Sequence, residues 1–372
     1  MCELAPCSVL RALLTCLLVL LTYLHPIPSH AIADPALTDT RLGLGKIEVI
    51  MFFCWGAYYA PFVFLGYACM HKSARISEKH YRCGAHTKQE YIDMLIDFHT
   101  HLFPPDIRKN RERYCERDPW FNALYANPQV GIASAEDLIA EMDTSGVDVS
   151  VTFSFGWTDA GLIEETNSYV IDAMCRYPRR IYGMAVLQPT IGVRAVHELE
   201  RCAEAGMIGL GELMPHGQGY KLRDITLLAP AMEVVRHYQL LVLSHCSEPV
   251  GHAYPGKGDV SLQDVVTFLT AFPDVRFVAA HWGGGLPFYT LMPEIQRITA
   301  NVWYDTAATV YLYRQNIFPI VANLVGADRI LFASDYGLLR QRRIIDHIAQ
   351  SGLDEDALKK VLGENAQSLL GL

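Results

Sequence analysis

Leu95-Ile96-Asp97-Phe98-His99-Thr100-His101 decides how this chain is read: a short, mostly apolar run ends on two histidines spaced two apart. Side chains two apart on a strand point the same way, so His99 and His101 can offer two imidazoles to one ion. Working outward, the same design recurs. Leu241-Val242-Leu243-Ser244 runs into His245, Phe277-Val278-Ala279-Ala280 into His281, and Ile330-Leu331-Phe332-Ala333-Ser334 into Asp335. A single histidine closing an apolar strand is most often a hydrogen-bonded core residue, and a single aspartate is often a helix cap. Four such endings in one chain are not a product of core packing.

Between these endings, short β-branched runs alternate with amphipathic stretches, the sequence form of repeated βα units around a parallel sheet. The strand candidates are Leu95–His99, Val147–Phe153, Ile181–Leu187, Met207–Leu213, Leu240–His245, Val275–His281, Asn301–Asp305 and Arg329–Asp335. Eight strands predict an α/β fold of the (β/α)8 TIM-barrel type. A doubly wound open sheet would not need eight, and no Gly-rich turn follows the first strand. Helix ends are legible too. Ser134 with Asp137 forms a capping box before 135–145, and Gly146 stops that helix. The segment 193–205 ends at Gly206, 261–272 ends before Pro273, and 354–370 closes the barrel. Barrel active sites form at the carboxyl ends of the strands, where all four polar endings fall.

The 372 residues are 51% apolar and 19% charged, enough for a large core. A net charge of −9 argues against a nucleic-acid partner. Four cysteines follow residue 94 (Cys115, Cys175, Cys202, Cys246) without paired spacing, as expected of ordinary thiols in a reducing compartment. Residues 1–93 read differently from 94–372, and the domain boundary is placed between them. Leu10–Leu24 has the shape of a signal peptide and Ile47–Met70 is long enough to span a bilayer. Three readings of this hydrophobic extension stand open: a membrane anchor, a signal peptide followed by an anchor, or upstream DNA translated from an early start codon. The last is favoured, because Met94 stands just before the first strand. A chain starting there is expected in the cytoplasm, and a membrane enters only if residues 1–93 are translated. A homo-oligomer is compatible with all three.

Asp97-Phe98-His99-Thr100-His101, Ala280-His281-Trp282-Gly283-Gly284-Gly285, Ser334-Asp335-Tyr336 and Gly363-Glu364-Asn365-Ala366 resemble the amidohydrolase superfamily. The most similar branch is the amidohydrolase-related group that includes aminocarboxymuconate semialdehyde decarboxylase. The resemblance covers 94–372. It implies His99, His101, His245 and Asp335 as metal ligands and His281 as the residue that orients or deprotonates a metal-bound water. A nitrogen and oxygen set of this kind suits Zn²⁺ with an open position. No lysine follows the fourth strand; Glu212 stands there, in Gly209-Leu210-Gly211-Glu212-Leu213. A glutamate at that place resembles the TatD-type nucleases, where it helps hold a second metal, and its alternative role is to orient a ligand histidine. One ion is favoured and two remain open.

The expected chemistry is metal-activated water acting on a small carbonyl substrate: an amide, ester, lactone or C–C bond. Asp335 would ligate and accept the water proton, and His281 would donate to the developing oxyanion or leaving group. Loss of CO₂ from an activated carboxylate, a non-oxidative decarboxylation, is the alternative. The substrate is expected to be carboxylated. Arg108, His252, Lys257 and Arg340 are candidate substrate contacts, as are Arg111, Arg113, Arg342 and Arg343, although most of these arginines fit a solvated surface equally well.

Overall fold

The structure, a computed structural model, describes residues 94–372. Leu10–Leu24 and Ile47–Met70, shaped like a signal peptide and long enough for a membrane span, lie outside the described residues. Eight parallel strands pair in chain order: β1 (Ile96–His101), β2 (Val149–Phe153), β3 (Ile181–Ala185), β4 (Gly209–Leu213), β5 (Leu241–Ser244), β6 (Phe277–Ala279), β7 (Val302–Asp305) and β8 (Ile330–Leu331). The last strand returns to the first. Phe98 N donates to Phe332 O at 2.8 Å, Asp335 N to His99 O at 2.9 Å and His101 N to Tyr336 O at 2.9 Å. The result is the expected (β/α)8 barrel. Most strands are shorter than the apolar runs that announce them, because those runs continue into the loops on which the polar endings sit.

Eight helices of the surrounding layer follow the strands in turn: α1 (Ala135–Ser145), α2 (Ala160–Arg176), α3 (Val193–Glu204), α4 (Ile225–His237), α5 (Leu262–Ala271), α6 (Pro293–Ile298), α7 (Ile317–Val325) and α8 (Gln341–Ala349). The capping box expected at the start of α1 is present: Ser134 N donates to Asp137 Oδ2 at 2.8 Å, Asp137 N to Ser134 Oγ at 3.3 Å, and Gly146 takes the left-handed conformation that ends the helix. Ser261 likewise caps α5 through Asp264 N. The closing segment is helical in three pieces, Glu355–Lys359, Lys360–Glu364 and Asn365–Leu370, and the middle piece is a π-helical turn. Two apolar clusters result, one between strands and helices (Leu210, Val242, Phe277, Phe332) and one running through the barrel interior and up under the first loop (Phe98, Val151, Leu243, Phe155, Trp157). Among the described residues no helix is long and apolar enough to cross a membrane.

Two irregularities position the site. The register between β1 and β2 slips by one residue between Asp97 and Thr100, and that between β4 and β5 slips between Leu210 and Leu213. Each slip places an extra residue in the strand, a bulge that re-aims a side chain. The bulged segments contain His99 and Glu212.

Candidate metal centre and active site

His99 and His101 converge at the barrel mouth with their Nε2 atoms 3.3 Å apart. The other ring nitrogens face acceptors: His99 Nδ1 is 2.8 Å from Asp305 Oδ2 and His101 Nδ1 is 2.8 Å from Ser154 O. Those contacts place the Nδ1 hydrogens outward and the Nε2 lone pairs inward, the orientation a metal-binding imidazole needs. Asp335 Oδ1 lies 3.4 Å from His101 Nε2 and 3.9 Å from His99 Nε2, and Glu212 Oε2 lies 3.8 Å from both. Donors about 2.0–2.2 Å from one tetrahedral ion stand about 3.3–3.6 Å from each other; the His99–His101 and His101–Asp335 spacings match this, and the His99–Asp335 spacing of 3.9 Å is a few tenths longer. Among the described residues the donors fall into two overlapping sets, His99/His101/Asp335 and His99/Glu212/His281.

The electrostatics suit the same occupant. Burial pushes His99 down, but Asp305, Glu212 and Asp335 outweigh it and raise the imidazole to about 9. Burial likewise opposes the charge on His281, and Glu212 and Asp335 reverse this and raise it to about 10. Burial raises Asp335, yet His101, His99 and His281 bring it down to about 2, and Glu212 is held well below its usual range against the same desolvation. Glu212, Asp305 and Asp335 thus favour protons on His99 and His281, and a divalent cation held by these groups would take the place of that positive charge.

His281 opens the run His281-Trp282-Gly283-Gly284-Gly285, in which all five residues have φ between +56° and +91°. This left-handed chain turns sharply beneath the cavity. A Cβ at Gly284 would come within 2.5 Å of Ser247 O, so the fourth position of the turn has no room for a side chain. His281 Nδ1 is 3.2 Å from Ala307 O and Nε2 is 3.6 Å from Glu212 Oε1. Asp335 also has positive φ, at 64°.

His245 is not brought into the donor set. Its Nδ1 is 3.0 Å from Glu212 Oε1 and its Nε2 is 2.9 Å from the Lys257 carbonyl, so both nitrogens are engaged away from His99 and His101. Of the expected substrate contacts, only His252 lines the cavity. Arg108 pairs with Asp137 at 2.6 Å on the surface, and Arg340 is 77% exposed with Glu141 at 3.8 Å. Lys257 Nζ folds back onto the carbonyls of Val250 and His252. Arg111 braces the first loop through the carbonyls of Tyr125, Asn127 and Val130. Arg342 pairs with Asp346, and Arg113 and Arg343 lie over tyrosine rings.

Above the donors opens a cavity of about 460 Å³. His101, Glu212, His245, His281 and Asp335 form its polar floor, and Trp120, Tyr125, Phe155, Met214, Tyr254 and Tyr311 form much of its wall. Trp120 and Phe155 stack with ring centres 6.1 Å apart, and Tyr125 meets Phe155 edge to face at 5.5 Å.

The sequence model of the amidohydrolase family matches residues 96–372. The chain belongs to that family. Similar solved structures include 5-carboxyvanillate decarboxylase from Sphingomonas paucimobilis, with TM-score 0.61, 18% identity, and coverage of 75% of this chain and 99% of that one. A 2,6-dihydroxybenzoate decarboxylase from Rhizobium gives TM-score 0.56 at 15% identity, covering 75% and 98%. A dihydroxybenzoic acid decarboxylase from a Polaromonas species, with bound manganese and 2-nitroresorcinol, gives 0.57 at 16%, covering 75% and 97%. At these identities the likeness is one of fold.

One residue of this amidohydrolase went unread in the sequence. Asp305 is fully buried; Oδ2 receives His99 Nδ1, while Oδ1 accepts from His281 N at 2.8 Å and Ala307 N at 3.0 Å. It thus orients two site histidines at once. Its signal was available, since Val302-Trp303-Tyr304 runs into Asp305 as the other strands run into their histidines.

Proposed function

We propose that this amidohydrolase is a divalent-metal-dependent, non-oxidative decarboxylase of a small aromatic carboxylic acid. The observation that carries the reading is the placement of a largely aromatic cavity directly over the histidine and carboxylate cluster. Similar folds are decarboxylases of hydroxybenzoates, which favours loss of CO₂ over the hydrolysis expected first from the sequence. The donor set does not select zinc over manganese, and the structure from Polaromonas carries manganese.

His99, His101 and Asp335 would hold the cation, with Glu212 beside them. When bound, it supplies positive charge to receive the substrate carboxylate and to polarise its oxygens. The chain does the rest. Aromatic walls exclude water and hold the ring by its faces. Breaking the C–C bond to the carboxyl group leaves an electron pair on the ring carbon, and a proton must arrive there. His281 is suited to give it. It lines the cavity, its Nδ1 is fixed by Ala307, and Glu212 and Asp335 favour its protonated form.

The test is incubation of manganese-loaded protein with a panel of hydroxybenzoates, following release of CO₂ and the product phenol. Esters and lactones are run in parallel. CO₂ release that disappears on chelation supports the reading. Ester or lactone hydrolysis with no CO₂ from any acid would return the hydrolase to first place.

A further inference from the structure

Apart from His252 and tyrosine hydroxyls, the ionisable side chains that line the cavity are those of its floor. Around the walls and mouth, among the described residues, no lysine or arginine lines the space. Arg111 is bound to three carbonyls of the first loop, Lys257 to two carbonyls of its own loop, and Arg108 to Asp137. Leu124, Val130, Leu312 and Leu338 join the aromatic rings in the wall. The wall residue Tyr254 donates its hydroxyl to Glu248 at 3.1 Å, and the other Glu248 oxygen is buried without a hydrogen-bond partner.

From this distribution we infer that the cavity takes aromatic acids with a single anionic group, the one at the floor, and an apolar substituent at the far end of the ring. The inference rests on the proposed reading of the floor as the place where a carboxylate binds. A second carboxylate away from the floor would meet leucine, valine and aromatic side chains with no lysine or arginine beside it. Desolvating an unpaired charge is among the largest penalties in recognition, and a site that offers no counter-charge rejects such a ligand as firmly as a designed clash would. An isopropyl group of similar size in the same place buries apolar surface instead. The arginines expected from the sequence to receive a carboxylate are therefore not replaced by other cations here. The far end selects by hydrophobicity.

The experiment is calorimetric titration of manganese-loaded protein with 4-isopropylbenzoate and with terephthalate, which differ mainly in the charge at the far end. Tighter binding of 4-isopropylbenzoate by on the order of 100-fold is expected. Leu338→Arg, at a position 51% exposed, should narrow that gap by about 10-fold or more by giving terephthalate a partner. Leu124→Arg, on another part of the wall, is the second variant if the first fails to fold. Equal binding of the two acids, or preference for terephthalate, overturns the inference and leaves the decarboxylase reading in place. Preference for 4-isopropylbenzoate without CO₂ release from any acid keeps the inference and removes the decarboxylase. Binding of neither acid by metal-loaded protein removes both.

Discussion

Asp305 shows how much of the site depends on residues that never reach the substrate. One carboxylate holds the His99 ring through Oδ2 and the His281 backbone through Oδ1. Asp305→Asn keeps the shape but replaces an anion with an amide, and should weaken metal affinity about 10–100-fold in a chelator-competition titration. Unchanged affinity would mean that the carboxylate has no part in orienting His99. His281→Ala should retain the metal and lose about 10²–10⁴ in turnover, whereas His99→Ala should lose both. Loss of metal from the His281 variant as complete as from the His99 variant would make His281 a ligand and remove it as proton donor. Glu212→Gln reports on the second ion: a fall from two metals per chain to one supports it, and a constant one excludes it. His99, His101 and Asp335 were legible because each closes an apolar run. The hydrogen bond of His245 Nε2 to the Lys257 carbonyl was not, because no local pattern specifies where that carbonyl lies.

At the scale of elements, the left-handed turn at 281–285 and the helix clamps make separate predictions. Gly284→Ala forces a methyl group against Ser247 O in a conformation with φ of 60°. It should cost about 2 kcal/mol or more in denaturant unfolding, where most surface changes cost under about 0.5 kcal/mol. A loss within that surface range would mean that the turn rearranges freely. Between α2 and α3, Glu198 accepts from Asn167 at 2.9 Å and from Arg201 at 2.7 Å. Burial alone would raise this carboxyl, but Arg201 and Asn167 hold it below its ordinary value of 4.5. A depressed carboxyl contributes stability that is present above about pH 4.5 and is lost as pH falls through its folded value. Glu198→Gln should therefore flatten the acid limb of the stability profile between pH 5 and 3, roughly, and an unchanged limb would assign the acid loss elsewhere. The capping box and the stop at Gly146 were readable because helix ends use side chains close in sequence. The bulges at 97–100 and 210–213 were not, since a register slip is a property of two strands together. Simple alternation would have put Asp97 beside His99. The slip instead leaves Asp97 bound to Ser334 and Gln341 and turns His99 toward His101.

For the whole molecule, the barrel closes its own hydrogen-bond ladder and buries its own core within residues 94–372. Protein expressed from Met94 should fold cooperatively and bind metal as a longer chain does, and failure to fold would show that residues 1–93 complete it. Eight apolar runs were enough to specify the barrel, since the architecture follows from the count and the alternation with helices. Function was less legible. The floor residues are common to hydrolysis and decarboxylation, and what separates the two is the shape and polarity of a wall assembled from loops far apart in sequence, Trp120 to Leu338. The proposed chemistry turns on where the cation sits. Anomalous diffraction from crystals grown with manganese should show a peak about 2.0–2.2 Å from His99 Nε2, His101 Nε2 and an Asp335 oxygen, at the base of the aromatic cavity. A peak away from these three residues, or none in protein whose bound manganese is confirmed by elemental analysis, would contradict it.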